Sequence, residues 1–430
     1  MQINYPKVLI VGNYFELSSG GGITMTNLFK GWDNKKIAVA SERINNPDYS
    51  VCHQYFQLGY LENKRRFPFF LWQKQYKSGV LTGDKTRISK EFFQDFTESR
   101  QKKFYNKFLH FSGLYHYSRR LKLSATFISW LQDYSPDIIY TQLSSLETIK
   151  FVYLLNQRFK LPVIVHIMDD WPSTISKKGI LQSFWNRKID KLFRLLLNNS
   201  KKLMSISEAM SDEYLTRYGK TFISFHNPIN VSNWTGNSKI SYDINETFVI
   251  LYAGRVGTGI EACFFDVIDA IKELIKKGLK IEFHLQTNSN SFVIDALKRF
   301  DFVKIKNPIS YELLPALFAS VDLLLLPNDF DQESVSFLRF SMPTKASEYM
   351  ATGTPILLYA SPETAIVKHA EKNNWAYIVK ENNKEMLVNA ISELYNNYGL
   401  REKIGNIAKK YAIDNYSDAR VTQLFRQAFD

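Results

Sequence analysis

Short apolar runs alternate with longer stretches of helical pattern along this chain. Lys7-Val-Leu-Ile-Val11 reads as a buried strand ending in Gly12-Asn13, and Ile23 to Trp32 as the helix that follows. Asp137-Ile-Ile-Tyr-Thr141, Pro162-Val-Ile-Val-His-Ile167 and Lys201-Lys-Leu-Met-Ser-Ile206 read as further strands, the last leading into a helix from Ser207. Asn227-Pro228 breaks the pattern, and residues 229–246 are polar and turn-rich, as a linker would be. A second series opens at Thr247-Phe-Val-Ile-Leu-Tyr-Ala253, with a helix from about Cys263 to Lys277. Lys280–Leu285, Val303–Ile305, Val321–Leu326 and Ile356–Tyr359 read as its remaining strands. Apolar strands alternating with helices imply parallel sheets covered on both faces, an α/β class. Two doubly wound domains joined by one linker place a ligand outside the carboxyl ends of their strands.

The richest stretch is Ser341-Met-Pro-Thr-Lys-Ala-Ser-Glu-Tyr-Met-Ala-Thr-Gly-Thr-Pro355. Pro343, followed by Thr344, stands where a helix would start, and Gly353 and Pro355 stop it. Lys345 and Glu348 are three apart and share one helix face. The free N–H groups at such a helix start suit a phosphate, and a carboxylate one turn in can accept from a ribose diol. That pairing describes a nucleotide-sugar site; the plainer alternative is a capped helix ending in a turn.

Composition narrows the setting. Hydrophobic residues make up 45% of the 430, as in globular proteins, and two distant cysteines, Cys52 and Cys263, give no disulfide framework. No Cys/His cluster has zinc spacing, so no metal and no cofactor are expected. The first residues lack signal-peptide character and no run of 18 apolar residues occurs, which suggests a cytoplasmic protein, at most peripheral on the inner membrane face. The net charge of +13 sits almost wholly before Pro228. Residues 61–125 hold 15 Lys and Arg against 5 acids, and residues 177–202 hold 8 against 1. Such asymmetry suggests that one domain faces something anionic. Lys64–Lys77 interleaves cations with aromatic rings, and Ile180–Leu197, flanked by Lys177, Lys178, Lys201 and Lys202, carries apolar residues near helical spacing. Both suit an anionic membrane surface; the alternative is a core stripe with a solvated charged face. No recognisable motif points to nucleic acid.

The string from Pro343 to Pro355 resembles the donor-binding helix of GT-B glycosyltransferases, in particular glycosyltransferase family 4, the retaining group 1 enzymes. Gly20-Gly-Gly-Ile-Thr-Met-Thr-Asn27 is similar to the glycine-rich loop and first helix of their acceptor domain. Ser205–Met210 through Asn227-Pro228 is similar to the exit from that domain, and Leu251-Tyr-Ala-Gly-Arg255 to the opening of the next. The resemblance implies a GT-B fold of two Rossmann-like, doubly wound domains facing across a cleft. Residues 1–228 would bind the acceptor and 229–414 the nucleotide-sugar donor, with 415–430 a C-terminal helix, around Ser417–Phe429, crossing back.

It further implies donor-binding roles for Gly21, Gly22, Gly254, Arg255, Ile309, Pro343, Thr344, Lys345 and Glu348. His166, Asp169 and Asp170 would lie near the reacting centre; the alternative is a satisfied sheet histidine with an aspartate cap. The chain departs from the family twice. No basic residue follows Arg255, and Phe340 stands where the first glutamate of the Glu-x7-Glu pattern belongs, leaving Asp331 or Glu333 as substitutes. Asp329-Phe-Asp331 matches the metal-binding Asp-x-Asp of a rival fold, but the resemblance argues against a ligand role. The implied activity moves a sugar from a nucleotide-diphosphate donor to a glycan or lipid-linked acceptor, as in surface polysaccharide assembly. A nucleotide-sugar 2-epimerase of the same architecture and a catalytically weak binding subunit are the alternatives.

Overall fold

The computed structural model describes residues 5–17, 19–67, 69, 76–81, 108–174, 179–289 and 291–430. The chain divides into two compact units, Met1–Phe225 with Leu424–Asp430, and His226–Gln423. The first unit holds β1 (Val8–Val11), β2 (Ile37–Ser41), β3 (Gln54–Gln57), β4 (Asn63–Arg65), β5 (Gly79–Leu81), β6 (Arg119–Leu121), β7 (Ile138–Gln142), β8 (Val163–Ile167), β9 (Lys202–Ser205) and β10 (Ile223–Ser224). Eight of them form one sheet in the order β10-β9-β8-β7-β1-β2-β3-β5, parallel except for β5 at its edge. The buried runs Val8–Val11, Ile138–Gln142 and Val163–Ile167 are its centre, which is why they lack strand alternation. β4 and β6 pair separately as an antiparallel ribbon.

The second unit holds β11 (Phe248–Ala253), β12 (Ile281–Gln286), β13 (Val303–Lys306), β14 (Leu323–Pro327), β15 (Ile356–Tyr359) and β16 (Tyr377–Val379). Its all-parallel sheet runs β13-β12-β11-β14-β15-β16, which in unit order is 3-2-1-4-5-6, the Rossmann arrangement. The strand order reverses at β11, so the loop at its carboxyl end opens on the crevice such sheets use for ligands. Helix Ala262–Lys276 packs Phe264, Val267, Ile268 and Ile271 onto that sheet.

Two sequence-based boundaries shift. The first helix spans Gly20–Leu28, so Gly20 to Gly22 form its first turn rather than a loop ahead of it. Ser19 caps it by accepting from the Gly22 N–H at 3.1 Å, a stop-and-start signal that needs no apolar residue. The last helix spans Asp418–Gln427, and the rings of Phe425 and Phe429 pack on Phe29 at 5.1 and 6.0 Å between centroids, inside the first unit. Among the described residues, no helix is long and apolar enough to cross a membrane.

Candidate functional site

The stretch singled out above forms helix Thr344–Thr352, with Pro343 as its extended N-cap and Gly353, at φ 72°, closing it in the left-handed region. Pro343 is thus one position earlier than a first helical residue. It makes no side-chain cap; its carbonyl accepts from the Ala346 N–H at 2.9 Å, which closes the first turn. One turn in, Lys345 reaches the carboxyl end of β11. Its ammonium lies 2.9 Å from the Tyr252 hydroxyl and 4.0 Å from the centre of that ring. Tyr252 in turn donates to the Arg255 carbonyl at 2.6 Å, which fixes the loop after β11. Gly254 in that loop has φ +145°, and a Cβ there would run into the Lys345 ammonium. Only glycine meets both conditions. Arg255 is exposed beside this group.

Lys345 makes no ion pair among the described residues, although Glu348 is on the same helix face. Burial pulls Lys345 down to about 7, with Glu348 opposing that shift and Arg255 adding to it. Burial raises Glu348, against hydrogen bonds from Tyr311 and Asn227 and the charge of Lys345. Glu348 is 4% exposed, and both of its hydrogen bonds, from Tyr311 at 2.9 Å and Asn227 at 3.5 Å, fall on Oε1. Oε2 accepts none among the described residues. A buried carboxylate and a half-buried ammonium therefore stand on one helix face with binding capacity unspent on each, as at a site that takes a ligand.

Asn227 and Tyr311 are the residues that sequence reasoning missed here. Asn227 is tied to the helix by Ser347, whose hydroxyl donates to its carbonyl at 2.9 Å. Tyr311 opens the short helix after the exposed Ile309, in the loop beyond β13. Thr344 accepts from Asn227 through its carbonyl, so it contributes backbone rather than side chain to this contact. Both Asp of the Asp-x-Asp pair cap helices. Asp329 accepts from the Glu261 and Cys263 N–H groups at 2.9 and 2.8 Å, capping helix Ala262–Lys276. Asp331 caps helix Gln332–Leu338 through the Glu333 and Ser334 N–H groups. Glu333 lies in the first turn of that helix. Phe340 is buried, with the Arg339 guanidinium 5.4 Å from its ring centre.

The first unit gathers the other residues at the carboxyl ends of β1, β7 and β8. His166 ends up fully buried in β8, its Nδ1 2.6 Å from the Tyr140 hydroxyl. Gln142 donates to that hydroxyl at 3.2 Å, and Asn13 donates to Gln142 at 2.6 Å. Asp169 is exposed at the strand's exit. Asp170 is buried and bound: Arg217 donates to both of its oxygens at 2.9 to 3.2 Å, and Tyr214 at 2.8 Å. Gly21 and Gly22 start the helix after β1, and a Cβ on Gly22 would meet the Glu16 carboxylate at 2.5 Å.

Burial pulls His166 down to about 3, and burial with the nearby charges of His110, Lys150 and Arg119 pulls His116 down to about 4. Both are neutral in the folded unit at neutral pH, whereas in the unfolded chain they take up protons below about pH 6.5. The unfolded state then binds more protons, so their contribution is complete above about pH 6.5 and is lost as pH falls toward 4 and 3. We expect the first unit to lose at most about 2 kcal/mol per histidine by pH 5. Melting temperature against pH measures this, and His166→Asn should flatten the slope whatever its effect at neutral pH.

Against known proteins, residues 247–397 match the family model of glycosyl transferases group 1. No curated protein matches the sequence. Solved structures match over nearly the whole chain. Sucrose-phosphate synthase from Thermosynechococcus elongatus is 14% identical, with 98% of this chain and 99% of that one covered and a TM-score of 0.64. A glycosyltransferase from Rickettsia africae is 13% identical, with 99% of each covered and a TM-score of 0.62. HepE from Anabaena is 12% identical, with 98% and 99% covered and a TM-score of 0.60. The segment holding Gly254, Arg255, Lys345 and Glu348 is therefore of the group 1 glycosyltransferase type, and the chain has the GT-B fold of two Rossmann-like units.

Proposed function

We propose that this chain is a retaining glycosyltransferase that takes a sugar from a nucleoside-diphosphate donor held by its second unit. The observation that carries this is the pair Lys345 and Glu348. One is a cation that makes no ion pair among the described residues, the other a buried carboxylate with one oxygen uncommitted among them, and both stand on one helix. Glu348 Oε2 accepts from the ribose hydroxyls. Lys345, Arg255 and the positive end of this helix receive the diphosphate. Ile309 and the loop after β13 lie beside the base. When the anomeric carbon–oxygen bond breaks, its electron pair stays on the diphosphate while the acceptor hydroxyl oxygen bonds that carbon and gives up its proton, and these fixed cations and dipoles stabilise the charge that develops on the diphosphate. No metal ligand is needed in this scheme, and both Asp329 and Asp331 are spent as helix caps.

On the first unit, Asp169 is the acid offered to an acceptor hydroxyl. His166 and Asp170 hold its loop from beneath, and Gly21 and Gly22 let the first helix approach closely. The acceptor class we assign is a glycan or a lipid-linked glycan. The test is thermal stabilisation by a panel of nucleoside diphosphates, UDP first, because HepE is known in complex with UDP and with UDP-glucose. ADP follows, since starch synthase IV from Arabidopsis thaliana is known bound to ADP. Ligand at 100 times its Kd adds about 2.7 kcal/mol. Absence of a shift with every nucleotide would sink the reading. Epimerisation of the donor sugar without acceptor would replace transfer by the isomerase alternative.

A further inference from the structure

Three elements of the first unit bring cations to one surface. In the β4–β6 ribbon Lys64 stands opposite Arg120, and the Arg66 N–H extends it by donating to the Ser118 carbonyl. Lys150 stands on helix Leu146–Phe159 and Lys188 on helix Gln182–Asn198. Lys150 is lowered first by burial; Glu147 opposes that, and the like charges of Lys188, Arg66 and Arg120 add to it, so these three lie near Lys150. Among the described residues none of the four makes an ion pair, whereas Arg119 beside them is paired with Glu42. A fold that keeps unpaired cations together pays in self-repulsion, which an anionic partner removes.

Large apolar side chains stand in solvent next to this group. Ile180 is 76% exposed, Phe111 58% and Phe184 55%. The Ile180 N–H donates to the Phe111 carbonyl at 2.9 Å, so these two belong to one patch. The Lys188 ammonium lies 5.6 Å from the Phe184 ring centre, which joins the apolar patch to the cations. The helix behind them turns Trp185, Ile189 and Phe193 into the core, so the exposed residues are surplus to its packing. Of the basic segments singled out from sequence, residues 68, 70–75, 82–107, 177 and 178 lie outside the described residues.

The partner must offer negative charge and an apolar layer side by side. Single-stranded nucleic acid would suit cations and aromatic rings, but Ile180 has no ring for a base to stack on. An anionic bilayer offers headgroup phosphates above an acyl boundary. We propose that this face docks the chain on an anionic lipid bilayer, with Arg66, Arg120, Lys150 and Lys188 at the phosphates and Phe111, Ile180 and Phe184 in the headgroup–acyl boundary. The proposal deepens the acceptor half of the function above and rests on it for the acceptor's being lipid-linked.

The test is co-sedimentation of the full chain with vesicles of phosphatidylcholine alone and of phosphatidylcholine with one-third phosphatidylglycerol. We expect partition to the anionic vesicles only, weakening as salt is added. The exposed triple variant R66Q/R120Q/K188Q should weaken it roughly 100-fold, at about fivefold per cation. The double variant I180S/F184S should weaken it at any salt concentration. No partition of the wild-type chain, unchanged partition of either variant, or displacement of the vesicles by a single-stranded oligonucleotide overturns the proposal. Both variants should melt as the wild-type chain does and keep its shift with nucleoside diphosphate. Loss of vesicle binding with that shift intact would thus separate this inference from the donor reading.

Discussion

Glu348→Gln should weaken nucleoside diphosphate binding by roughly 10- to 100-fold while raising the melting temperature of the free protein. The two effects have one cause. Burial raises Glu348 above the ordinary carboxylate range, so the folded state without ligand bears a cost for the ionised form. Gln keeps the shape and can still accept from Tyr311 through its carbonyl oxygen, so the cost goes and the packing stays. What goes with it is the charge-assisted acceptor that Oε2 offers to a diol, and hydrogen bonds to charged groups are worth about 1.5–3 kcal/mol. Isothermal titration gives the affinity and a melt without ligand gives the stability. A destabilised variant with unchanged affinity would mean that Glu348 is a structural residue of the helix and that the donor site lies elsewhere. Lys345 makes the control: the same trade of binding for stability should appear in Lys345→Met, since burial also disfavours its charged form.

The reach of sequence reasoning follows the length scale of the physics. The strands of both sheet centres are apolar throughout, and Phe248–Ala253 or Leu323–Pro327 can be read from a few consecutive residues. The pair Lys345 and Glu348 was legible for the same reason, because helix geometry alone puts positions three apart on one face. Their partners were not. Tyr252, Tyr311 and Asn227 come to them from 93, 37 and 121 positions away, and tyrosine or asparagine at such distances carries no local pattern. The β4–β6 ribbon escaped for a different reason. Lys64, Arg65, Arg119 and Arg120 alternate no apolar residue with their charges, so neither strand carries the period-two signal of a half-buried sheet. Ile37–Ser41, a buried strand of ordinary composition, was missed although the signal was there. The aspartates of the Asp-x-Asp pair show the reverse case, in which a pattern legible as a metal motif serves as two helix caps.

Asp170→Ala should be the most damaging single change in the first unit, costing about 3–5 kcal/mol, the loss typical when one partner of a buried ion pair is removed. Asp170 is 5% exposed; Arg217 donates to both of its oxygens and Tyr214 to Oδ1. Arg217 also pairs with Glu213 on its own helix, and its guanidinium lies 5.3 Å from the Tyr214 ring centre. The carboxylate therefore ties the exit of β8 to helix Glu208–Tyr218, the element that follows β9. Alanine would leave that guanidinium facing a cavity with a single acid, and the Tyr214 hydroxyl without its acceptor. Asp170→Asn should cost less, since one amide oxygen still accepts, although the charge is lost. A melt of the whole chain with and without nucleoside diphosphate separates a structural role from a direct one. If Asp170 acts through the fold, the variant melts early while nucleotide affinity, set by the second unit, is unchanged. Transfer activity should then recover in Asp170→Asn in proportion to its stability. An Asp170→Asn protein as stable as wild type but inactive in transfer would instead make Asp170 a participant in the chemistry.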